Sequence, residues 1–419
     1  MRSPETLSMN DLRALRPILP ILLGASLLLT LSMGLRQSLG IFVPPLTQDI
    51  GISVGEFTLA VAVQNLAWGL FQPFAGAWAD RVGYRRLMLG GALLYIVGLV
   101  MLMLAQGFVA VLVGAGIAIG ASMAATGPAI AMAVSAKPVT AAVRSTVLGI
   151  VSAAGSLGAM VAAPMGQMLA QAWDWRVGVA GFVVLALVML PAAWYAGKVD
   201  SVPDATPPTT TDKLGAGAAA KVAMRNPAFI VMALAYFVCG MQLVFLTTHL
   251  PTYLDLCGMD PMLSAQALGA IGAFNILGSL FFGWAGGRWS KLGLLGMIYF
   301  VRSLVLAMYF VAPPTPTSTL VFASIMGFLW MGVGPLVAGW IVEAFGLRWQ
   351  AMLGGIAFVS HQIGSTTGAF GGGLIFDAAG SYDAAWQIGV SLGLAAGIMQ
   401  IAFAYFGKRP PQPPLPVAA

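Results

Sequence analysis

Four side chains of this 419-residue chain stand where charge is costly. Arg36, Arg302, His249 and His361 all fall inside long apolar runs. Ionisable groups in such surroundings are expensive and usually functional. A guanidinium offers a planar fork of donors that matches a carboxylate bidentately, so the two arginines point to anion binding. Histidine changes charge near neutral pH. His361, about ten residues into its run, is therefore the candidate proton carrier, while His249 sits two residues before Pro251 near the end of its run. Polar neighbours extend the set: Gln37 beside Arg36, then Gln64, Asn65 and Trp68 on the next run, and Gln242, Asn275 and Gln362 in the second half. All 14 acidic residues fall in loops or near the ends of runs, so no mid-run carboxylate is expected to neutralise the arginines. Each residue also has a plainer reading. Arg36 could snorkel to the interface, Arg302 could tie its run to Asn275 or a carbonyl, and a neutral hydrogen-bonded histidine is ordinary. Met and aromatic stripes elsewhere read as packing or lipid-facing surface.

The elements that must position these groups follow from composition. The chain is 59% hydrophobic and 8% charged, against about 25% charged for an ordinary soluble domain. Too few charges remain to cover a soluble surface. A membrane span needs roughly 20 mostly apolar residues, and twelve runs qualify: 18–44, 57–79, 87–106, 108–134, 145–170, 177–197, 227–254, 263–286, 292–311, 318–342, 352–376 and 384–407. The first run is too long for a cleaved signal. The basic residues alternate in register with the runs. If both termini are cytoplasmic, 17 of the 20 lie inside, from Arg2, Arg13 and Arg16 to Lys408 and Arg409, and only Arg176 occupies an outer loop. That is the positive-inside pattern. The net charge of +6 is thus a topology signal and not one for nucleic acid. Cys239 and Cys257 read as two free thiols, with no spacing for a metal or disulfide.

Residues 198–226, rich in Pro, Thr, Gly and Ala, read as a cytoplasmic linker. They divide the chain into a six-helix bundle at 1–197, a second at 227–407 and a tail at 408–419. The halves match at a shift of 206 or 207 residues: Gly34 on Gly240, Pro45 on Pro251, Asp49 on Asp255, Gly127–Pro128 on Gly334–Pro335, and Gly149, Gly158 and Gly166 on Gly355, Gly364 and Gly372. Parallel repeats of this kind build transporters with a site between the halves near the bilayer midplane.

After the second run stand Gly76, Asp80, Arg81, Gly83, Arg85 and Arg86 in the order G-x-x-x-D-R-x-G-x-R-R. This resembles the signature loop of the major facilitator superfamily, and the match is complete. At the same place in the second half only Gly283 and Arg288 remain. The resemblance implies an all-α membrane protein of twelve transmembrane helices in two pseudo-symmetric six-helix bundles. Physically, Gly76 permits close helix approach, and Asp80 can bond the arginines or a facing helix end. The expectation is a latch between the halves; the plainer reading is a basic loop with a capping acid. Gly334–Pro335, His361–Ser365, Gly371–Gly373, Asp377 and Gly380–Tyr382 look like the monocarboxylate transporter and oxalate/formate antiporter branch, which implies organic anions, often with a proton. Animal-type members of that branch carry an Asp and an Arg one turn apart on span 8. Here the segment reads Phe274–Asn275–Ile276–Leu277–Gly278–Ser279, so that site does not carry over.

The sequence therefore predicts a monomeric secondary transporter in an inner (plasma) membrane, not an enzyme and without a cofactor. It would carry a small organic anion, with a proton as candidate coupling ion. No Gly-rich phosphate loop ending in Lys–Ser or Lys–Thr is present. A multidrug or other-solute exporter of the same superfamily is the alternative, although a pump for cationic drugs would want a buried acid. A membrane enzyme would want paired histidines with an acid in one span, and a sensor of the same fold would show no solute flux.

Overall fold

The computed structural model describes residues 16–205, 208–311 and 314–406. Arg2, Arg13, Pro207, Lys408, Arg409 and the tail at 408–419 lie outside the described residues. Twelve membrane helices form an all-α fold: α1 Leu19–Ser38, α2 Val54–Val82, α3 Tyr84–Met103, α4 Phe108–Ala136, α5 Ala141–Ala172, α6 Trp175–Leu187 with its continuation Met189–Ala196, α7 Pro227–Leu256, α8 Pro261–Ala285, α9 Lys291–Val311, α10 Pro316–Phe345, α11 Gln350–Ala379 and α12 Asp383–Phe406. Local chemistry sets the ends. Ser53 and Glu56 form a reciprocal capping box ahead of α2, and Gly83, at φ +84°, stops it. Asn226 followed by Pro227 starts α7, and Thr315 followed by Pro316 starts α10.

Ten of the helical stretches are apolar and long enough to cross a membrane by length and composition. The other two, α2 and α11, match them in length at 29 and 30 residues. They are more polar because they carry Gln64, Asn65 and Gln72, and His361, Gln362, Ser365, Thr366 and Thr367. These two helices pack against each other and bring the first six helices to the last six.

Glycine decides how closely the helices approach. Within each half, α1 packs on α5 and α7 packs on α11. A side chain at Gly34 would meet the Gly158 backbone, and one at Gly240 would meet the His361 carbonyl. Between the halves, α2 packs on α11 and α5 on α8. Gly76 lies on the Ala351–Met352 backbone, and Gly149 lies on Gly283. These contacts obey the shift seen in the sequence, since Gly76 corresponds to Gly283 and Gly149 to Gly355, which itself packs on Pro73. The repeat is thus written into the contacts as well as the residues. The contacts between halves follow α2 from Gly76 to Asn65, a rise of about 16 Å. They lie toward the end of the bundle that carries Asp80, called here the basic end.

Candidate functional site

At mid-length of α2 and α11 the two halves gather polar and aromatic side chains. Arg36 comes from the last turn of α1, where the negative end of the helix dipole favours a cation. Its Nη2 donates to Asn65 Oδ1, and its guanidinium carbon lies 5.2 Å from the Trp68 ring centroid. From the other half, Gln362 Nε2 donates to the Asn65 backbone oxygen at 2.9 Å. Asn65 therefore holds Arg36 and the opposite half together. Trp68 is fixed in turn: its Nε1 donates to Gln72 at 3.0 Å, and Gln72 donates to the Ala124 carbonyl on α4 at 2.9 Å. Across the interface Phe358 meets Trp68 with centroids 4.6 Å apart, and His361 stacks on Phe358 at 5.2 Å. Tyr236 of α7 meets His361 edge-on at 4.7 Å.

Arg36 is half-buried, and its Nε is buried with no partner among the described residues. The described ion pairs place no carboxylate on it. A buried guanidinium with an unused donor is costly. Such a donor can be satisfied by an acceptor oxygen, and the charge by an anionic group.

The remaining predicted residues are placed elsewhere. Gln37 is exposed beside Arg36. Gln64 turns away from the interface and donates to the Ala115 carbonyl at 2.6 Å. Ala115 lies in a π-helical stretch, Leu112–Ala118, whose wider turns leave carbonyls for such a donor. Asn275 is buried on α8 with Oδ1 unpartnered, and Arg302 does not reach it. Arg302 is enclosed in the second half, 1% exposed. Its Nε donates to Gln242 Oε1 at 3.0 Å, and Nη1 lies 3.4 Å from Cys239 Sγ. Gln242 spends its amide on Ser303 Oγ at 3.0 Å and the Gly389 carbonyl at 2.8 Å. Arg302 thus ties α9 to α7, where the sequence suggested a tie to α8. His249 has both ring nitrogens engaged, Nδ1 with Tyr382 Oη at 3.1 Å and Nε2 with the Ala369 carbonyl at 2.9 Å. His361 contacts Gln362 Oε1 at 3.2 Å and Ser365 Oγ at 3.4 Å.

At the basic end, Asp80 pairs with Arg348, from the turn before α11, rather than with the arginines of its own loop. Arg348 Nε donates to Oδ1 at 2.8 Å and Nη2 to Oδ2 at 2.9 Å, a bidentate bridge between halves. These bonds, against a small burial penalty, hold the Arg348 guanidinium above its ordinary pKa. The linker joins in. Asp212 accepts from the Arg348 backbone N–H at 2.9 Å, and Asp200 accepts from the N–H groups of Tyr84 and Arg85 at 2.9 and 3.0 Å. Arg85 lies over the Trp194 ring at 4.6 Å, and Arg81 and Arg86 are exposed. Sequence reading did not find Phe358, Tyr236, Cys239, Asp200, Asp212 or Arg348 as partners. Their types were visible, but their neighbours come from distant segments.

The model of the Major Facilitator Superfamily matches residues 25–369. The uncharacterized MFS-type transporter YcxA of Bacillus subtilis (strain 168) is 24% identical over 358 residues, which cover 83% of this chain and 85% of that protein. Among solved structures, the transporter FucP in the outward conformation aligns with a TM-score of 0.73 at 15% identity, over 95% of this chain and 100% of that one. The proton:xylose symporter XylE bound to 6-bromo-6-deoxy-D-glucose aligns with a TM-score of 0.69 at 15% identity, over 92% and 96%. At such identity the likeness is one of fold.

Proposed function

The chain belongs to the Major Facilitator Superfamily, a family of membrane transporters, and on that premise we propose that it is a secondary transporter of a small organic anion, in the range of a monocarboxylate. The observation that carries this reading is Arg36. It bonds Asn65, which Gln362 of the opposite half also reaches, and it has a buried, unused Nε and no described carboxylate partner. Arg36 would hold the carboxylate, Asn65, Gln362 and His361 would add hydrogen bonds, and Trp68 and Phe358 would face the apolar part of the solute. The bundles 1–197 and 227–407, joined by the linker 198–226, would rock about this site. With the basic end in the cytoplasm, as the positive-inside pattern favours, the Asp80–Arg348 bridge would close the inner side, and the solute would enter from outside. The protein would then sit in the inner membrane with both termini inside. Cysteines placed at Gly51 and Gly258 should label from outside; labelling only from inside would overturn this orientation.

The test of substrate charge is uptake into proteoliposomes of labelled carboxylates, amines and neutral sugars, each with Arg36 intact and as Arg36→Gln. Saturable carboxylate uptake that disappears in Arg36→Gln is expected. Saturable uptake of an amine that survives Arg36→Gln would overturn the anion reading and favour a multidrug exporter. Saturable sugar uptake alone would place the substrate with those named for FucP and XylE.

A further inference from the structure

Arg302 raises a separate question, because it lies outside the interface and no carboxylate among the described residues pairs with it. It is enclosed, and Nη2 has no partner among the described residues. Gln242 supplies one neutral acceptor. The other contact is Cys239 Sγ, 3.4 Å from Nη1 and itself buried. The next residue, Gly240, packs against the His361 carbonyl, and the His361 ring belongs to the aromatic row at the interface. The chain Arg302, Cys239, His361 therefore runs from the interior of the second half to the site between halves.

We propose that Cys239 is the counter-ion of Arg302, a thiolate in the resting protein, and that Cys239 and His361 together form a proton-binding site. A charge enclosed in low dielectric requires an opposite charge or it must be given up. Arginine does not give up its proton. A thiol beside a guanidinium can. The ionisable groups around Cys239 are Arg302 of α9, in contact with it, Tyr299, whose ring lies 5.3 Å from that guanidinium, and Tyr236 of α7, three residues before Cys239, which meets His361 of α11 edge-on. An ordinary tyrosine ionises well above neutral pH, and His361 brings no negative charge. Cys239 is the remaining acid.

The chemistry balances. A proton entering from the interface is taken by the His361 ring and passed to sulfur, where an S–H bond forms and the thiolate charge is lost. The Arg302–Cys239 pair then changes from neutral to net +1. If the transported solute is an anion, as proposed above, its single negative charge offsets that +1, and proton and anion move together. This coupling step rests on the anion reading; the proton site does not.

The test is the infrared S–H stretch of purified protein in a Cys257→Ser background, so that Cys239 is the sole thiol, with Cys239→Ser as the spectral blank. At neutral pH the band is expected to be absent with Arg302 intact, to appear on acidification, to stay absent in Arg302→Lys and to be present at neutral pH in Arg302→Gln. A full S–H band at neutral pH with Arg302 intact would overturn the proposal, whatever the charge of the substrate. If Arg302→Gln does not fold, the acid titration of the intact protein decides alone. In proteoliposomes uptake is expected to rise as external pH falls, and Cys239→Ser to remove that rise. Loss of the pH effect together with transport of a neutral solute would keep the proton site and discard the anion reading.

Discussion

Arg36 and Arg302 are both arginines inside apolar helices, yet the protein treats them differently. Arg36 has one hydrogen-bond partner on a neighbouring helix, an aromatic face beneath it and an unused buried donor at the junction of the halves. Arg302 is packed within one half, held by Gln242 and Cys239 and set 5.3 Å from the Tyr299 ring. By residue type and position both arginines point to anion binding. Their neighbours separate them. What separates the proposed binding residue from an internal tie is what its partners touch. Asn65 and Trp68, which hold Arg36, reach across the seam to Gln362 and Phe358, whereas Gln242 and Cys239 hold Arg302 within its own half.

Substitutions at three places sharpen or break this comparison. Cys239→Ser strands the Arg302 charge, so it should lower unfolding stability by about 3–5 kcal/mol. Arg302→Gln should cost less, because the freed thiol can take up a proton. Equal midpoints of chemical unfolding for Cys239→Ser and wild type would show that the pair is not ionic. Arg36→Gln should leave the unfolding midpoint nearly unchanged but weaken carboxylate affinity by about 1.5–3 kcal/mol, the range for a hydrogen bond to a charged group. Arg36→Lys should recover little of this, because an ammonium lacks the planar fork. If Arg36→Gln unfolds the protein and Arg302→Gln alone removes binding, the two roles are exchanged. The smallest effect belongs to the basic end. The Asp80–Arg348 bridge is partly exposed, and such bridges contribute about 0–1 kcal/mol. Asp80→Asn and Arg348→Gln should each shift the balance between outward-open and inward-open forms about five-fold at most, read by accessibility of a cavity cysteine, with substrate affinity retained. The double variant should do no more than either single one. Additive effects would mean that the two residues act separately.

The fold was legible because its causes are local or periodic. Apolar runs, the constant shift between halves and the Gly76–Arg86 motif all survive in one dimension. Even the lower apolarity of α2 and α11 had a meaning, since the residues that cause it include Asn65 and Gln362, which meet across the interface. The candidate site was legible only in part. Arg36, Asn65 and Trp68 lie on adjacent spans, and the structure brings them together. Gln64, one residue before Asn65, points about 100° away around the helix and serves α4 instead. Phe358 and Tyr236 looked like ordinary packing residues, as aromatic stripes usually are. Arg348 meets Asp80 across 268 residues, and no spacing rule joins loops of different halves. Cys239 was read as a bland thiol because its meaning depends on an arginine 63 residues away on a helix two spans later.

The charge of the solute is tested most directly by equilibrium binding to the purified protein. A carboxylate, the amine of matched size and a neutral sugar are each titrated into wild type and Arg36→Gln, and the shift in unfolding temperature is followed. The carboxylate alone is expected to stabilise the wild type, and this shift to vanish in Arg36→Gln while the ligand-free midpoint stays in place. Stabilisation by the amine or the sugar, of equal size in both proteins, would contradict the anion reading.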